Sequence, residues 1–187
     1  MSIDKDEVAR LTEEHGGVWG MNHTRRLLKL VDEIGKGLTY NAEAVWLAAH
    51  LHDWGAYAPW AQKGVDHVLR SGEAAEDFMT KQAYPEDVKA VVLECIALHH
   101  TAGSDRSLEA TLLRDADALD FLGVIGVLRD FSKSPRDLRA AYEQVRKRRE
   151  KVPPMLHLER AKAMGAERIE QMDALLGEFE VESFGCF

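Results

Sequence analysis

The residues with the clearest capacity for chemistry in this 187-residue chain are its histidines and the acidic residues near them. The eight histidines include an adjacent pair, His99-His100, and one that an aspartate follows directly, His52-Asp53. A later segment reads Asp115-Ala-Asp-Ala-Leu-Asp120. Neutral imidazole binds zinc, iron, manganese and nickel, and a carboxylate adds negative charge and can bridge two ions. These residue types therefore indicate a site for divalent cations.

Other common kinds of active site are absent from the sequence. It contains no GxxxxGK[ST] loop, no GxGxxG turn and no GxSxG nucleophile motif. It also lacks HExxH and the paired CxxC units of a structural zinc site. The histidines and aspartates are therefore the best candidates for a functional site.

Composition and charge narrow the class of protein. The chain is 45% hydrophobic and 30% charged, as expected of a soluble globular protein. Its net charge of −8 has the wrong sign for non-specific binding to nucleic acids or anionic membranes. The first ten residues lack the apolar region of a signal peptide, and the apolar stretch 119–128 is too short to span a bilayer. With Cys95 and Cys186 expected as free thiols, the sequence predicts a cytoplasmic protein.

Apolar residues recur with helical spacing along the chain, and no segment alternates as a strand would. A short helix is predicted after Ile3, a second after Asn22, and a third from Ala42 to about Asp53. Five further helices are predicted to begin at or near the following residues: Asp66, Pro85, Ser107, Pro135 and Met155. The glycine pair Gly123 and Gly126 is expected to separate the last two of these helices from the others. The pattern predicts an all-α, single-domain bundle.

The predicted helices place several imidazoles and carboxylates at helix ends, where they can converge on one mouth of the bundle. His23 lies in a first helical turn, and His52-Asp53 and His99-His100 close their helices. Asp115 and Asp117 are two residues apart, about 200° around a helix, so both cannot face one site. Asp120 is three residues beyond Asp117 and lies on nearly the same face.

One ordered set of residues runs through most of the chain: His23, His52-Asp53, His67, His99-His100 and the Asp115–Asp120 segment. It resembles the HD-domain superfamily of metal-dependent phosphohydrolases, and in particular its small stand-alone bacterial members. The pattern of that superfamily is H…HD…D, sometimes extended to H…HD…H…HH…D. The resemblance covers about residues 22–179. It implies a helical bundle with a short N-terminal helix in residues 1–20, a metal-binding core in 21–133, and C-terminal helices in 134–187 that pack on the core.

The resemblance also implies the metal ligands. Four residues match the protein ligands of the primary metal: His23, His52, Asp53 and Asp117. Three more match the additional ligands of members with two metals, in which the equivalent of Asp53 bridges the ions: His67, His99 and His100. The implied cofactor is one or two divalent ions of manganese, iron, nickel, cobalt, zinc or magnesium.

The implied activity is hydrolysis of a phosphoester by a metal-activated water. The implied substrates are nucleotide-like small molecules. Asp53 and His67 are the candidate catalytic residues, and no protein nucleophile is required. Candidate substrate contacts are the following residues: Arg26, Lys63, Arg114, Asp120 and Arg129. The sequence leaves the substrate, the number of ions and the oligomeric state open.

Alternatives from other classes share the same residues. An HD-fold oxygenase would use the histidines to hold two irons, and a non-catalytic helical sensor would keep only the fold.

Two departures also separate this chain from better-defined branches of the superfamily. Ala56 stands where many members carry lysine, and the residues after His100 lack the Gly-Tyr-Pro signature of cyclic-dinucleotide phosphodiesterases. His67 and His99 are either metal ligands or contacts to the substrate phosphate.

Overall fold

The structure, a computed structural model, describes residues 4–101, 103 and 105–187, and these residues form eight α-helices and no strand. The helices are α1 (Lys5–Ile34), α2 (Ala42–Leu51), α3 (His67–Lys81), α4 (Glu86–Leu98), α5 (Leu108–Asp120), α6 (Gly123–Lys133), α7 (Leu138–Lys151) and α8 (Glu159–Glu182). Two short 3₁₀ helices cover Trp54–Ala56 and Pro153–Met155. The predicted all-α class is confirmed. Within the described part of the chain, none of the helices combines the length and apolar character needed to cross a bilayer.

The chain divides into two compact units, Met1–Arg114 and Asp115–Phe187. The boundary between them falls within α5. The sequence suggested three segments, 1–20, 21–133 and 134–187, and that finer division stays a prediction.

Helix α1 contains a break at Gly17, whose backbone angles of φ 60° and ψ −167° are not helical. A positive φ of this kind is far less costly for glycine than for other residues. The break fits the predicted end of a first short helix near Gly16. The predicted start of the next helix after Asn22 is wrong, because the helix resumes directly after Gly17 and runs through Asn22.

Helix α2 is central to the first unit. It packs against α1 and α4, and α3 packs against α4 and against the 3₁₀ turn Trp54–Ala56. Seven residues of α2 are buried: Ala44, Val45, Leu47, Ala48, Ala49, His50 and Leu51. A helix that is apolar on all sides is typical of a buried core. The His52-Asp53 dipeptide therefore follows a helix that is largely buried.

Local capping explains where these helices start. The Asn41 side chain accepts a hydrogen bond from the backbone N–H of Ala44 at 3.0 Å, as predicted for an N-cap residue. Ser107 likewise accepts from the N–H of Ala110 at 3.1 Å, so α5 starts where the sequence predicts. Pro85 precedes the first residue of α4.

In the second unit, α6 packs on α7 and α8, and α7 also contacts α8. Helix α6 is not predicted from the sequence, because the glycines at positions 123 and 126 suggest a break there. Gly126 is instead buried within this helix, and a β-carbon there would collide with the carbonyl oxygen of Phe121. The glycine therefore allows a close backbone contact and does not end the helix.

Candidate metal centre

Three elements of the first unit bring His23, His52 and Asp53 together. His23 lies in α1, after the break at Gly17, and is buried. His52 caps the C-terminus of α2 and is also buried. Asp53 precedes the 3₁₀ turn and retains 27% side-chain exposure. The carboxylate is therefore accessible, whereas the two imidazoles are enclosed.

The donor atoms of this first cluster, His23, His52 and Asp53, are close enough to share one ion. The Nε2 atoms of His23 and His52 lie 3.3 Å apart. Asp53 Oδ2 lies 3.8 Å from His23 Nε2 and 3.4 Å from His52 Nε2. Ligands about 2.1 Å from a metal lie about 3.4 Å apart at the tetrahedral angle and about 3.0 Å apart at a right angle. The separations fit three ligands of a single divalent cation.

The hydrogen bonds of His52 indicate which ring nitrogen faces the cluster. Its Nδ1 lies 3.0 Å from the carbonyl oxygen of Ala49, so we assign the ring proton to Nδ1, as the donor of that bond. Its Nε2 then presents a lone pair toward His23. A metal-ligating histidine commonly donates its other N–H to a backbone carbonyl in this way. The arrangement therefore suits metal binding through Nε2.

A second cluster, His67, His99 and His100, has its donor atoms within 4.8 Å of one another. His67 is the first residue of α3 and His99 caps α4. His99 is buried, and its Nδ1 lies 2.6 Å from the carbonyl oxygen of Ile96, so Nε2 is the nitrogen that would bind an ion. His100 is exposed. The same chemistry therefore recurs at a second position in the first unit.

Asp53 connects the two clusters. Its Oδ2 faces His23 and His52, while its Oδ1 lies 3.9 Å from the Nε2 of His67. The rings of His52 and His99 are 5.2 Å apart between centroids. One carboxylate thus presents an oxygen to each cluster, which is the geometry required of a bridging ligand.

A close backbone contact holds α3, and with it His67, beside Asp53. The N–H of Gly55 donates to the Ser71 hydroxyl at 2.9 Å, and Ser71 is buried. Asp66 caps α3 by accepting from the N–H of Val68 at 2.8 Å, and this hydrogen bond lowers the pKa of Asp66. Ser71 is not among the residues predicted from the sequence. The signal that could have found it is Gly55, which suggests a close approach two residues after the His-Asp pair.

The 3₁₀ turn after Asp53 is anchored by aromatic packing. Trp54 is fully buried, and its indole N–H donates to the Thr12 hydroxyl at 3.0 Å. Its ring stacks on Trp60 with centroids 4.2 Å apart and meets Phe78 edge-on at 5.3 Å. These contacts fix the backbone that directly follows the HD dipeptide.

His50 lies two residues before His52 and belongs to neither cluster. It is buried, its Nδ1 lies 2.9 Å from the carbonyl oxygen of Trp46, and its ring lies tilted against that tryptophan with centroids 3.9 Å apart. Burial lowers the pKa of His50 to about 4, so the ring is neutral at pH 7. It is a packing residue, because residues two apart on a helix point about 200° apart and His50 therefore faces away from His52.

The predicted ligand Asp117 lies in the second unit, on α5, and is buried. Its role as a ligand stays a prediction. Asp115, two residues earlier, has a different task. Its carboxylate accepts hydrogen bonds from the backbone N–H groups of His157 and Leu158, at 3.0 and 2.8 Å. It thereby anchors the two residues that directly precede α8.

The candidate substrate contacts have varied environments. Arg26 is half-buried on α1, Lys63 is exposed, and Arg114 is buried. Asp120 and Arg129, both in the second unit, form an ion pair with each other. Their predicted roles toward a substrate remain predictions.

Comparison with known proteins identifies the family to which this chain belongs. The sequence profile described as HD domain matches residues 20–122, more than half of the chain. The chain belongs to the HD-domain family, which confirms the resemblance seen in the sequence. No curated protein matches it significantly.

Solved structures share the fold. A predicted HD-superfamily hydrolase from an uncultured Thermotogales bacterium is 23% identical, with 95% of this chain and 92% of that chain covered and a TM-score of 0.71. YpgQ from Bacillus subtilis, solved in complex with ADP, is 20% identical, with 95% and 93% covered and a TM-score of 0.74. A Lactobacillus plantarum protein is 19% identical, with 99% and 100% covered and a TM-score of 0.76. The family and the two donor clusters together support a metal-dependent hydrolase.

Proposed function

We propose that this protein is a metal-dependent phosphohydrolase that acts on a small phosphoester of the nucleotide class. The observation that carries the proposal is the position of Asp53, whose two carboxylate oxygens face two separate histidine clusters. An arrangement of imidazoles around a shared carboxylate suits two adjacent cations better than it suits one. Two adjacent cations are a common device for phosphoester hydrolysis.

The residues present fit a divalent cation in both number and chemistry. In the proposal, His23, His52 and Asp53 hold the first ion, with Asp117 as the fourth ligand. His67, His99 and His100 hold the second. Mixed imidazole and carboxylate ligands suit manganese, iron, cobalt, nickel or zinc, and carboxylates also bind magnesium. A cation bound there supplies Lewis-acid chemistry, which acidifies water and neutralises charge on phosphoryl oxygens.

The side chains of the chain itself have distinct tasks in this proposal. Asp53 orients the attacking water through its accessible carboxylate. His67, with 37% side-chain exposure, delivers a proton to the leaving-group oxygen if it does not serve as a ligand. His23 and His52 are buried and keep bulk water from the enclosed side of the site.

Cationic side chains are the proposed contacts to the substrate. Arg26 follows His23 by one helical turn and is half-buried, so its guanidinium suits a phosphate near the first cluster. Lys63 is exposed in the segment between Asp53 and His67. Arg114 and the paired Asp120 and Arg129 are proposed to contribute on the basis of the sequence. The complex of YpgQ with ADP supports a nucleotide as the substrate class.

The test is a panel of nucleotides and simple phosphoesters, assayed with manganese, cobalt, nickel and magnesium after removal of bound metal. Wild type is expected to hydrolyse at least one substrate. His52→Ala and Asp53→Asn are expected to lose both bound metal and activity while keeping their helical content. His67→Ala is expected to lower kcat by about 10²–10⁴-fold if His67 is the general acid.

His15→Ala is the matched control, because His15 contacts Trp60 and belongs to neither cluster. It should retain metal and activity. Absence of turnover with every metal would contradict the proposal. Oxygen consumption by the iron-loaded protein would favour the oxygenase alternative, and an inert protein that binds nucleotide would favour the sensor.

A further inference from the structure

One guanidinium lies beside the His99-His100 pair at the end of α4. Arg106 donates from Nη1 to the carbonyl oxygen of Leu98 at 3.1 Å. From Nη2 it donates to the carbonyl oxygen of Thr101 at 3.2 Å and to that of Gly103. Leu98 directly precedes the histidine pair and Thr101 directly follows it. The arginine therefore brackets the pair with bonds to the backbone on both sides.

These bonds lie where a helix end needs donors. The last four carbonyl groups of a helix have no partner within the helix, and a cation there is favoured by the helix dipole. The Leu98 carbonyl also accepts from the N–H and the hydroxyl of Thr101, each at 3.1 Å. Arg106 thus completes a set of donors that defines the turn carrying the two histidines.

The positions of both rings depend on this turn. His99 is oriented by the contact of its Nδ1 with the Ile96 carbonyl, which requires that residues 96–99 keep their backbone geometry. His100 is exposed, so surrounding packing constrains its ring weakly and the backbone must do so. Their rings lie 4.1 Å apart, and that of His100 lies 5.3 Å from His67. A shift of the turn would separate donors that now lie within 4.8 Å.

We propose that Arg106 is a positioning residue for the second cluster, which sets the backbone from which His99 and His100 reach toward His67. The inference rests on the proposed function, in which that cluster binds the second ion. Arginine suits the task because its planar guanidinium directs several N–H groups at fixed angles. Lysine carries the same charge but cannot reproduce the three bonds in this geometry.

The first test is titration of chelator-treated, full-length protein with Mn²⁺. Wild type should bind two ions per chain. Arg106→Gln should weaken binding of the second ion by about 10–100-fold and leave binding of the first ion unchanged. Arg106→Lys should give an intermediate loss of affinity for the second ion. Arg10→Gln is the matched control, because Arg10 forms hydrogen bonds to Glu7 and Glu14 on the exposed face of α1. This variant should bind both ions with wild-type affinity. Wild-type affinity for both ions in Arg106→Gln would overturn the proposal.

The second test needs no metal. Long-range ¹H–¹⁵N spectra of the histidine rings should show that Arg106→Gln moves the signals of His99 and His100 and leaves those of His23 in place. Unchanged His99 and His100 signals would refute the role of Arg106. If wild type binds no ion, the proposed function fails, but the ring signals still decide whether Arg106 positions the pair. Should Arg106→Gln not fold, Arg106→Lys is measured in the same two ways.

Discussion

Gly55 lies directly against the backbone of His67. A β-carbon on residue 55 would collide with the carbonyl oxygen of His67 and, almost as closely, with the backbone nitrogen of Ser71. Both obstacles belong to the first turn of α3, which is held by backbone hydrogen bonds and cannot rotate away as a side chain could. The glycine therefore permits the approach that brings a histidine of the second cluster to Asp53.

Gly55→Ala should consequently be costly. Because backbone atoms must move to admit the methyl group, we expect the free energy of unfolding to fall by about 3 kcal/mol. The displaced first turn should also weaken binding of the second Mn²⁺. Urea unfolding of the metal-free protein and Mn²⁺ titration measure the two effects.

Gly72→Ala provides the comparison on the same helix. Gly72 lies inside α3, and a β-carbon there would meet no described atom within 4 Å apart from its chain neighbours and the nearby backbone of its own helix. Alanine is the better helix former, so this variant should be more stable than wild type by up to about 1 kcal/mol. Equal stability of Gly55→Ala and Gly72→Ala would show that residue 55 does not pack as described.

The two aspartates at positions 115 and 117 should respond differently to the same substitution. Asp115 accepts from two backbone N–H groups at the start of α8, so Asp115→Asn should lower the free energy of unfolding by about 2 kcal/mol and leave metal binding intact. Asp117→Asn should weaken binding of the first ion, because asparagine preserves the size of the side chain but removes the charge that attracts a cation. Calorimetric metal titration and urea unfolding of both variants distinguish a residue that binds the metal from one that anchors the backbone before α8. Loss of metal in Asp115→Asn alone would reverse the assignment.

The sequence allowed the helical class and the candidate metal ligands to be predicted because both depend on local or type-specific signals. Asn41 and Ser107 cap the helices that they were expected to cap, since an N-cap acts on an N–H three residues away. His52-Asp53 and His99-His100 attract notice because few residue types bind divalent cations. The order of these residues along the chain then indicates the family.

What the sequence did not reveal depends on contacts between distant backbones. The role of Gly126 within α6 follows from a carbonyl five residues earlier, and glycine in isolation suggests only a break. Ser71 acquires its role because α3 meets the turn after Asp53. Arg106 resembles an ordinary surface arginine until the end of α4 is seen beside it. Such roles require the folded geometry.

The ion pair between Arg149 and Asp173 should make a pH-dependent contribution to the second unit. The guanidinium donates to both carboxylate oxygens, at 2.8 and 2.7 Å, and joins α7 to α8. It lowers the pKa of Asp173, so the folded state binds the proton less readily than the unfolded state. The stabilisation is therefore complete above the unfolded carboxyl pKa, about 3.9, and is lost as the pH falls through the lower pKa of the folded state. Arg149→Gln should cost less than about 1 kcal/mol at pH 7, because the pair is partly exposed, and should cost less still at pH 2. Urea unfolding at both pH values measures this; an equal cost at both would rule out an electrostatic origin.

The two thiols should differ sharply in reactivity. Cys95 is fully buried on α4, and burial raises the pKa of its thiol, whereas Cys186 is exposed. Because the thiolate is the nucleophile, iodoacetamide should alkylate one cysteine per native chain and two in urea. Cys186→Ser should leave the native protein unreactive and the unfolded protein with a single site, as intact-mass spectrometry would show. Rapid alkylation of Cys95 in the native Cys186→Ser variant would mean that α4, the helix that ends at His99, opens readily. The metal-free fold would then not hold the second cluster in a fixed position.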